Sequence, residues 1–89
     1  MADPWMFGFS KAALHAANLE GASLPCAVLS SADLTDANLK AANLEGADLR
    51  RANLRGADMS RANLRGTDLR EVICTEEDLE GADLTGAKR

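Results

Sequence analysis

Apolar residues, mostly leucine, recur at every fifth position along nearly the whole chain. The series starts at Phe9 and Leu14 and runs in phase to Leu84, with Met59 and Cys74 standing where leucine is expected. Alanine precedes the central residue by two places throughout residues 12–62, and Asn, Asp or Ser lies between the two in most units. This five-residue period is the strongest structural signal in the sequence.

Neither regular secondary structure keeps such leucines together. Five residues advance an α-helix by about 500°, so the leucines would spiral around the axis instead of forming a stripe. In a straight strand successive side chains alternate between faces, and an odd period would place successive leucines on opposite faces. A chain that turns by about 90° in each unit instead points every leucine and every paired alanine toward one axis.

The period therefore predicts an all-β fold, a quadrilateral β-helix (solenoid) of about four coils of about 20 residues each, stacked at strand spacing. Asn and Asp suit the bends because their side chains hydrogen-bond nearby backbone. Glycine two places after the leucine, as at Gly46, suits a corner that needs a positive φ. The predicted structural core comprises Leu14, Leu19, Leu24, Leu34, Leu39, Leu44, Leu49, Leu54, Leu64 and Leu69.

Units such as Ala32-Asp33-Leu34-Thr35-Asp36 and Ala52-Asn53-Leu54-Arg55-Gly56 carry the pattern A(D/N)LXX. In tandem this pattern resembles the pentapeptide-repeat proteins, and the resemblance covers about residues 7–88. It implies a right-handed quadrilateral β-helix but no single function. Some members of that family bind DNA gyrase by mimicking duplex DNA, and others are modules of larger regulatory proteins.

The two ends of the stack differ in composition. We predict that residues 1–10 form an N-terminal hydrophobic cap, built on Trp5, Phe7 and Phe9, over a β-helix of residues 11–89. The C-terminal coil has no such cap. We expect a homodimer through this coil; the alternatives are protection by its acidic residues or continuation into a longer array.

The unit around Cys74 departs from the pattern. Ile73 stands in place of Asn or Asp, and Glu77 falls in a slot that should face the axis. An unpaired carboxylate inside is costly, so we expect the chain to bulge here and turn Glu77 outward.

The net charge and the lengths of the apolar runs limit the kinds of partner that we expect. The net charge is −4, and no apolar run approaches the ~20 residues of a membrane span. We therefore expect neither membrane binding nor direct nucleic-acid binding, and a cytoplasmic location because the N-terminus lacks the features of an export signal.

Arginines concentrate in one coil and its neighbour. They form either a candidate partner surface or a solvated ladder of charges with Glu45, Glu71, Asp48 and Asp68 nearby. Stacking of residues about 20 apart would pair Glu20 with Lys40, Glu45 with Arg65 and Arg51 with Glu71, and would bring the like charges Arg50 and Arg70 together. The candidate partner surface consists of Arg50, Arg51, Arg55, Arg65 and Arg70.

Residues that carry chemistry are sparse. His15 is the only histidine and points outward, and Cys26 and Cys74 occupy an outward slot and a core slot. We predict no catalytic, metal or cofactor site, no disulfide and no enzyme activity.

The preferred function is therefore a non-enzymatic structural scaffold or protein–protein interaction module for an unidentified protein partner. The alternative is a DNA-mimicking protein that binds DNA gyrase or another topoisomerase. The short length and the cationic belt count against that alternative, because a DNA mimic needs a long, mostly negative surface.

Overall fold

The computed structural model describes residues 9–89. Within this range the chain forms a β-helix solenoid in which each five-residue unit lies next to its counterpart one coil further on, as the bridge between Asp33 and Asn53 shows. The predicted cap residues Trp5 and Phe7 lie outside the described residues. Phe9 is partly buried and packs against the core of the first described coil.

The β-structure consists of isolated parallel bridges. They join the residue before each central position to its counterpart in the next coil, from Ala13↔Asp33 to Asp68↔Lys88. Over residues 9–89 no run is long enough to count as a strand, because the chain turns after every unit. The helical element described there is one 3-10 helix, Glu76–Leu79, which we label η1.

The unit around Leu34 shows how the coils are joined. The Leu34 N–H donates to the carbonyl of Asn53 at 2.9 Å, and the Asn53 N–H donates back to the carbonyl of Ala32 at 2.9 Å. The Asp36 N–H adds a bond to the Arg55 carbonyl at 3.0 Å. Each unit therefore shares several backbone hydrogen bonds with the coil beyond it. These bonds satisfy backbone N–H and C=O groups that water cannot reach inside the narrow solenoid.

A tight turn closes each unit. The Ala37 N–H donates to the carbonyl of Leu34 at 3.1 Å, and the intervening Asp36 has a φ of 56°. The same positive φ recurs at the corresponding position of the other regular units. Glycine fills some of these positions, but residues with side chains, such as Ala41 and Arg61, fill others at φ near 60°.

Leucine and alanine side chains fill the axis of the solenoid. Leu34, Leu44 and Leu54 have no exposed surface, and Leu14 and Leu19, in the first described coil, are only partly buried. Thr67 takes an alanine slot and is fully buried, with its hydroxyl donating to the Leu64 carbonyl at 2.8 Å. The other buried leucines from the predicted core are Leu24, Leu39, Leu49, Leu64 and Leu69, joined by Leu29, Met59 and Leu79.

The helix η1 lies at the unit that departs from the repeat. Its acidic first turn keeps Glu77 exposed while Leu79 returns to the core. The Asp58↔Asp78 pairing that the register would give is missing from the bridges of the described chain. The chain thus leaves the coil path to put a carboxylate in solvent and rejoins it one unit later.

Candidate interaction surface

Side chains next to the central leucines fix the outer surface. In the regular units the Asn or Asp before the central residue accepts a hydrogen bond from the backbone N–H two residues further on; examples are Asn38 with Lys40 at 3.1 Å and Asp58 with Ser60 at 3.0 Å. Such bonds hold the turn while leaving the following side chain on the outside. The outer residues consequently stand in columns, with one residue of each column contributed by each successive coil.

The Arg50 and Arg70 units each carry a bidentate ion pair on this surface. Arg50 donates from Nε and Nη2 to the two carboxylate oxygens of Asp48 at 2.9 and 2.8 Å. Arg70 repeats the arrangement with Asp68 at 2.9 and 2.6 Å. The Arg50 Nε also lies 3.9 Å from Asp68, which links the two pairs.

These ion pairs outweigh the repulsion between the two stacked arginines: the hydrogen bond to Asp68 raises the pKa of Arg70 by more than the charge of Arg50 lowers it. Each guanidinium forms a bidentate bond with the carboxylate of its own unit, and this opposite charge offsets the neighbouring arginine. The Arg70 guanidinium, hydrogen-bonded to Asp68, lowers the pKa of that carboxyl to about 2. Arg50 likewise lowers the pKa of Asp48 through its side-chain hydrogen bond.

A shallow cavity of about 270 Å³ lies beside these pairs. The short side chains of Ser30 and Ser31 line one part of it. Arg50 and Arg51, one coil further on, and Arg70, two coils further on, line another part. The Arg51 Nε lies 3.4 Å from the Glu71 carboxylate, as the register predicts. We call this region the arginine face and define it by the residues that line the cavity: Ser30, Ser31, Arg50, Arg51, Arg70 and Glu71.

The predicted partner surface is divided in the structure. Arg50, Arg51 and Arg70 come together on the arginine face. Arg65 lines a different cavity of about 600 Å³ with Glu45, and Arg55 lies near Asp78, whose pKa it helps to lower after the larger effect of the Thr75 backbone hydrogen bond.

The two other predicted charge pairs, Glu45 with Arg65 and Glu20 with Lys40, are not seen as ion pairs within residues 9–89. Glu45 and Arg65 line the same cavity, but no ion pair between them is among those of residues 9–89. The Glu20 carboxylate accepts from the Asn38 side chain at 3.3 Å. Among the complementary pairs expected in the described chain, only Arg51 and Glu71 therefore form the ion pair that the register predicts.

His15 has neighbours that sequence reasoning missed. Its Nδ1 lies 2.7 Å from the Thr35 hydroxyl, which in turn donates to Asp33 at 2.6 Å. The register, which places residue 35 against residue 15, was the signal that could have found this group. Because the Thr35 proton is directed to Asp33 and not to His15, the chain of bonds runs in the wrong order to activate the hydroxyl as a nucleophile.

The two cysteines differ in their exposure to solvent. Cys26 is exposed and lines the same cavity as Glu45 and Arg65, whereas Cys74 is half-buried and burial raises the pKa of its thiol. Both thiols are free. Within residues 9–89 no three His, Cys, Asp or Glu side chains converge as a metal site would need, and no helix of that range has the length and apolar character to cross a membrane.

Comparison with protein families gives a match over most of the chain. A model described as pentapeptide repeats, in 8 copies, matches residues 12–51, 32–71 and 47–86. A search of curated proteins gives no match.

Solved structures with the same architecture include the pentapeptide repeat protein Rfr23 from the cyanobacterium Cyanothece 51142, at 38% identity and a TM-score of 0.50, over 80% of this chain and 52% of that one. A pentapeptide repeat protein from Nostoc Pcc 7120 is 39% identical with a TM-score of 0.54, over 86% and 64% of the two chains. One from the Arabidopsis thaliana thylakoid lumen is 25% identical with a TM-score of 0.53, over 90% and 56%. The chain thus spans less than two thirds of the length of each of these structures.

Proposed function

The chain belongs to the pentapeptide repeat family, and from that premise we propose that it is a non-enzymatic scaffold whose outer faces bind a protein partner. The observation that carries the proposal is the fixed placement of the outer side chains. Turn bonds, bonds between coils and a continuous core hold every unit, and contacts between neighbouring coils, such as Arg51 with Glu71, recur on the surface. Rigid elements that present side chains in a fixed array are what a binding surface requires.

The cross-section follows from the same register. We infer a quadrilateral coil, with about four coils in the described chain, because each residue and its bridge partner, such as Asp33 and Asn53, are separated by four five-residue units. Its right-handed sense is what membership of the family implies. Four flat sides result, and the arginine face lies at a corner between two of them, because its residues occupy the turns of successive coils. A flat side suits an extended or flat partner better than a small molecule.

The test of the scaffold proposal is capture of a partner by the intact protein. The full chain, immobilised through an added N-terminal tag, is expected to retain a specific protein from the lysate of its native source, and excess free chain is expected to compete for it. A chain with Leu34→Asp in the core is the unfolded control. Retention by that control at the same level as by the folded chain would contradict the proposal.

DNA mimicry is the alternative function. It requires an acidic surface that a topoisomerase accepts in place of duplex DNA, and the outward arginines of the arginine face interrupt such a surface. A gyrase supercoiling assay separates the two proposals. We expect no change in supercoiling at micromolar protein, and inhibition or protection of the enzyme would favour the alternative.

We further propose that two copies associate through their C-terminal coils, in a cytoplasmic setting. The support for the homodimer is that this coil contains partly buried apolar side chains, including Val72, Leu84 and Ala87, that a second copy would cover. Light scattering is expected to give a mass that rises from monomer to dimer with concentration. A monomeric mass at millimolar protein, or a dimer unaffected by Leu84→Asp, would contradict this arrangement.

A further inference from the structure

We infer that the arginine face binds an acidic segment of a protein partner, through the outer edges of the Arg50 and Arg70 guanidinium groups. This inference rests on the proposed scaffold function and specifies its partner. It starts from the way the two arginines are held.

Each guanidinium is fixed by one edge and, among residues 9–89, has no bonding partner at the other. Asp48 takes the Nε and Nη2 donors of Arg50, and Asp68 takes the same donors of Arg70. A guanidinium has five N–H donors, so the Nη1 edge of each group still has donors to offer. Because the first edge is already held, little side-chain freedom remains to be lost when a second carboxylate binds.

The two pairs also point their positive ends outward. The side chains of Arg50 and Arg70 are 51% and 54% exposed, whereas those of Asp48 and Asp68 are 25% and 20% exposed. An approaching group therefore meets the guanidinium groups before the carboxylates. The face attracts anions although its formal charges are balanced within each pair.

The serine side of the cavity adds hydroxyl groups without adding negative charge. The Ser30 hydroxyl bonds that of Ser10 at 2.8 Å, and Ser31 lies next to it at the cavity wall. Of the described residues that line the cavity, Glu71 is the one carboxylate, and it is engaged by Arg51 at 3.4 Å. The lining thus consists mainly of hydrogen-bond donors, which match carboxylate acceptors.

Charge on the whole molecule favours an acidic peptide over a nucleic acid. The net charge of −4 repels a polyanion at long range, whereas a short segment with a few carboxylates meets mainly the local field of the arginine face. Two stacked arginines also match two neighbouring carboxylates of one segment. A protein partner with a short acidic stretch is therefore the occupant that the surface fits.

The test is an NMR titration of the full chain with a capped hexaglutamate peptide at low salt, with a capped hexaglutamine peptide as the matched probe. We expect hexaglutamate to shift the Arg50 and Arg70 Nε–H signals and the Ser30 and Ser31 amides, and hexaglutamine to shift none of them. Binding is expected to weaken steeply in about 0.5 M salt, because exposed ion pairs are screened.

Two double variants that keep the net charge distinguish binding at the arginine face from general attraction to arginine residues elsewhere. The double variant Arg50→Lys/Arg70→Lys keeps the charge but removes the forked donors, and we expect it to bind hexaglutamate about fivefold more weakly. Arg55→Lys/Arg65→Lys makes the same chemical change away from the arginine face and is expected to stay within about twofold of the wild type.

Several results would overturn the inference: no shift with hexaglutamate, shifts centred on Arg55 or Arg65, equal weakening in both double variants, or tighter binding of a short DNA duplex than of the peptide. The shift map on the unaltered protein decides the question even if a variant is unstable. A cellular partner retained equally by the wild type and by Arg50→Lys/Arg70→Lys would leave the scaffold function standing and remove the acidic segment from it.

Discussion

The residue two places after each central leucine concentrates the backbone strain of this fold. Non-glycine residues there adopt φ values near 60°, a region that costs an L-residue about 1–2 kcal/mol relative to the right-handed one. The repeat tolerates this cost at Ala16, Ala41 and Arg61 because the bonds between coils over-determine the turn. Space around the turn, and not φ alone, then decides which glycines are replaceable.

Gly56 and Gly66 provide a matched pair for this point. A Cβ at Gly56 would lie 2.2 Å from Oδ1 of Asp36, whereas a Cβ at Gly66 would meet nothing within 4 Å. We expect Gly66→Ala to lower the free energy of unfolding by about 1 kcal/mol or less and Gly56→Ala by roughly 0.5 kcal/mol more, because the exposed Asp36 carboxylate has to turn aside, as measured by urea denaturation. Equal losses would show that Asp36 moves aside without cost; Gly56→Ala/Asp36→Ala is expected to recover the difference.

Asp68 gives the surface a pH dependence with a defined sign. Its pKa is about 2 in the folded protein, lowered by the Arg70 hydrogen bond from the usual 3.8. A depressed pKa stabilises the folded state above the unfolded-state value, and this stabilisation is lost as the pH falls through the folded-state value. We expect the difference in Tm between the wild type and Asp68→Asn to be constant above about pH 5, to shrink between about pH 4 and 2, and to diminish in high salt. A difference that grows on acidification would contradict the Arg70–Asp68 pairing.

At the scale of the element, the Asp78 carboxylate takes the place of a backbone acceptor where the repeat is interrupted. In regular units the residue two places after the leucine donates its N–H to the next coil, as Gly46 does to the Arg65 carbonyl. At the interruption the Gly56 N–H donates instead to the Asp78 carboxylate at 3.2 Å. The same carboxylate accepts from the Thr75 N–H at 2.9 Å, and the Thr75 hydroxyl accepts from the Asp78 N–H. Asp78 thus caps η1 and joins it to the coil before it.

We expect Asp78→Ala to lower the free energy of unfolding by about 1–2 kcal/mol, because it leaves two backbone donors without their acceptor. Glu77→Ala, a change to the exposed neighbour on the same helix, is expected to stay within about 0.5 kcal/mol of the wild type. Hydrogen exchange provides a local readout. The Gly56 amide is expected to exchange faster in Asp78→Ala and to be unchanged in Glu77→Ala, and the reverse ranking would contradict this role of Asp78.

The register of the coils and the outward turn at Glu77 could be predicted from the sequence, whereas the helix η1 was not. The five-residue period alone predicts the register, since a coil that turns by a right angle in each unit returns to Leu34 at Leu54. The outward turn at Glu77 also follows from the cost of burying a carboxylate. The helix η1 was missed, although Thr75-Glu76-Glu77-Asp78 has the spacing of a capping box. Asp48 and Asp68 were expected near the arginines, but the bidentate pairing of each with the arginine of its own unit was not. An aspartate in the same unit competes with the neighbour in the next coil, and the repeat does not rank the two.

At the scale of the molecule, stability depends on neighbouring coils. Leu54 has no exposed surface and lies between coils on both sides, whereas Leu14 in the first described coil is only partly buried. We expect Leu54→Ala to lower the free energy of unfolding by about 3 kcal/mol or more and Leu14→Ala by less than half as much, measured by urea denaturation. Similar losses at the two positions would indicate that the coils do not stack in this order.

The register between neighbouring coils underlies the core, the charge pairs and the arginine face alike, and NMR measures it directly through scalar couplings across hydrogen bonds. The account predicts couplings from the Leu34 amide to the Asn53 carbonyl and from the Asn53 amide to the Ala32 carbonyl, which the structure places 2.9 Å apart in each case. Couplings from these amides to carbonyls of the preceding helical turn, as in an α-helix, or to a coil displaced by one unit, would contradict it.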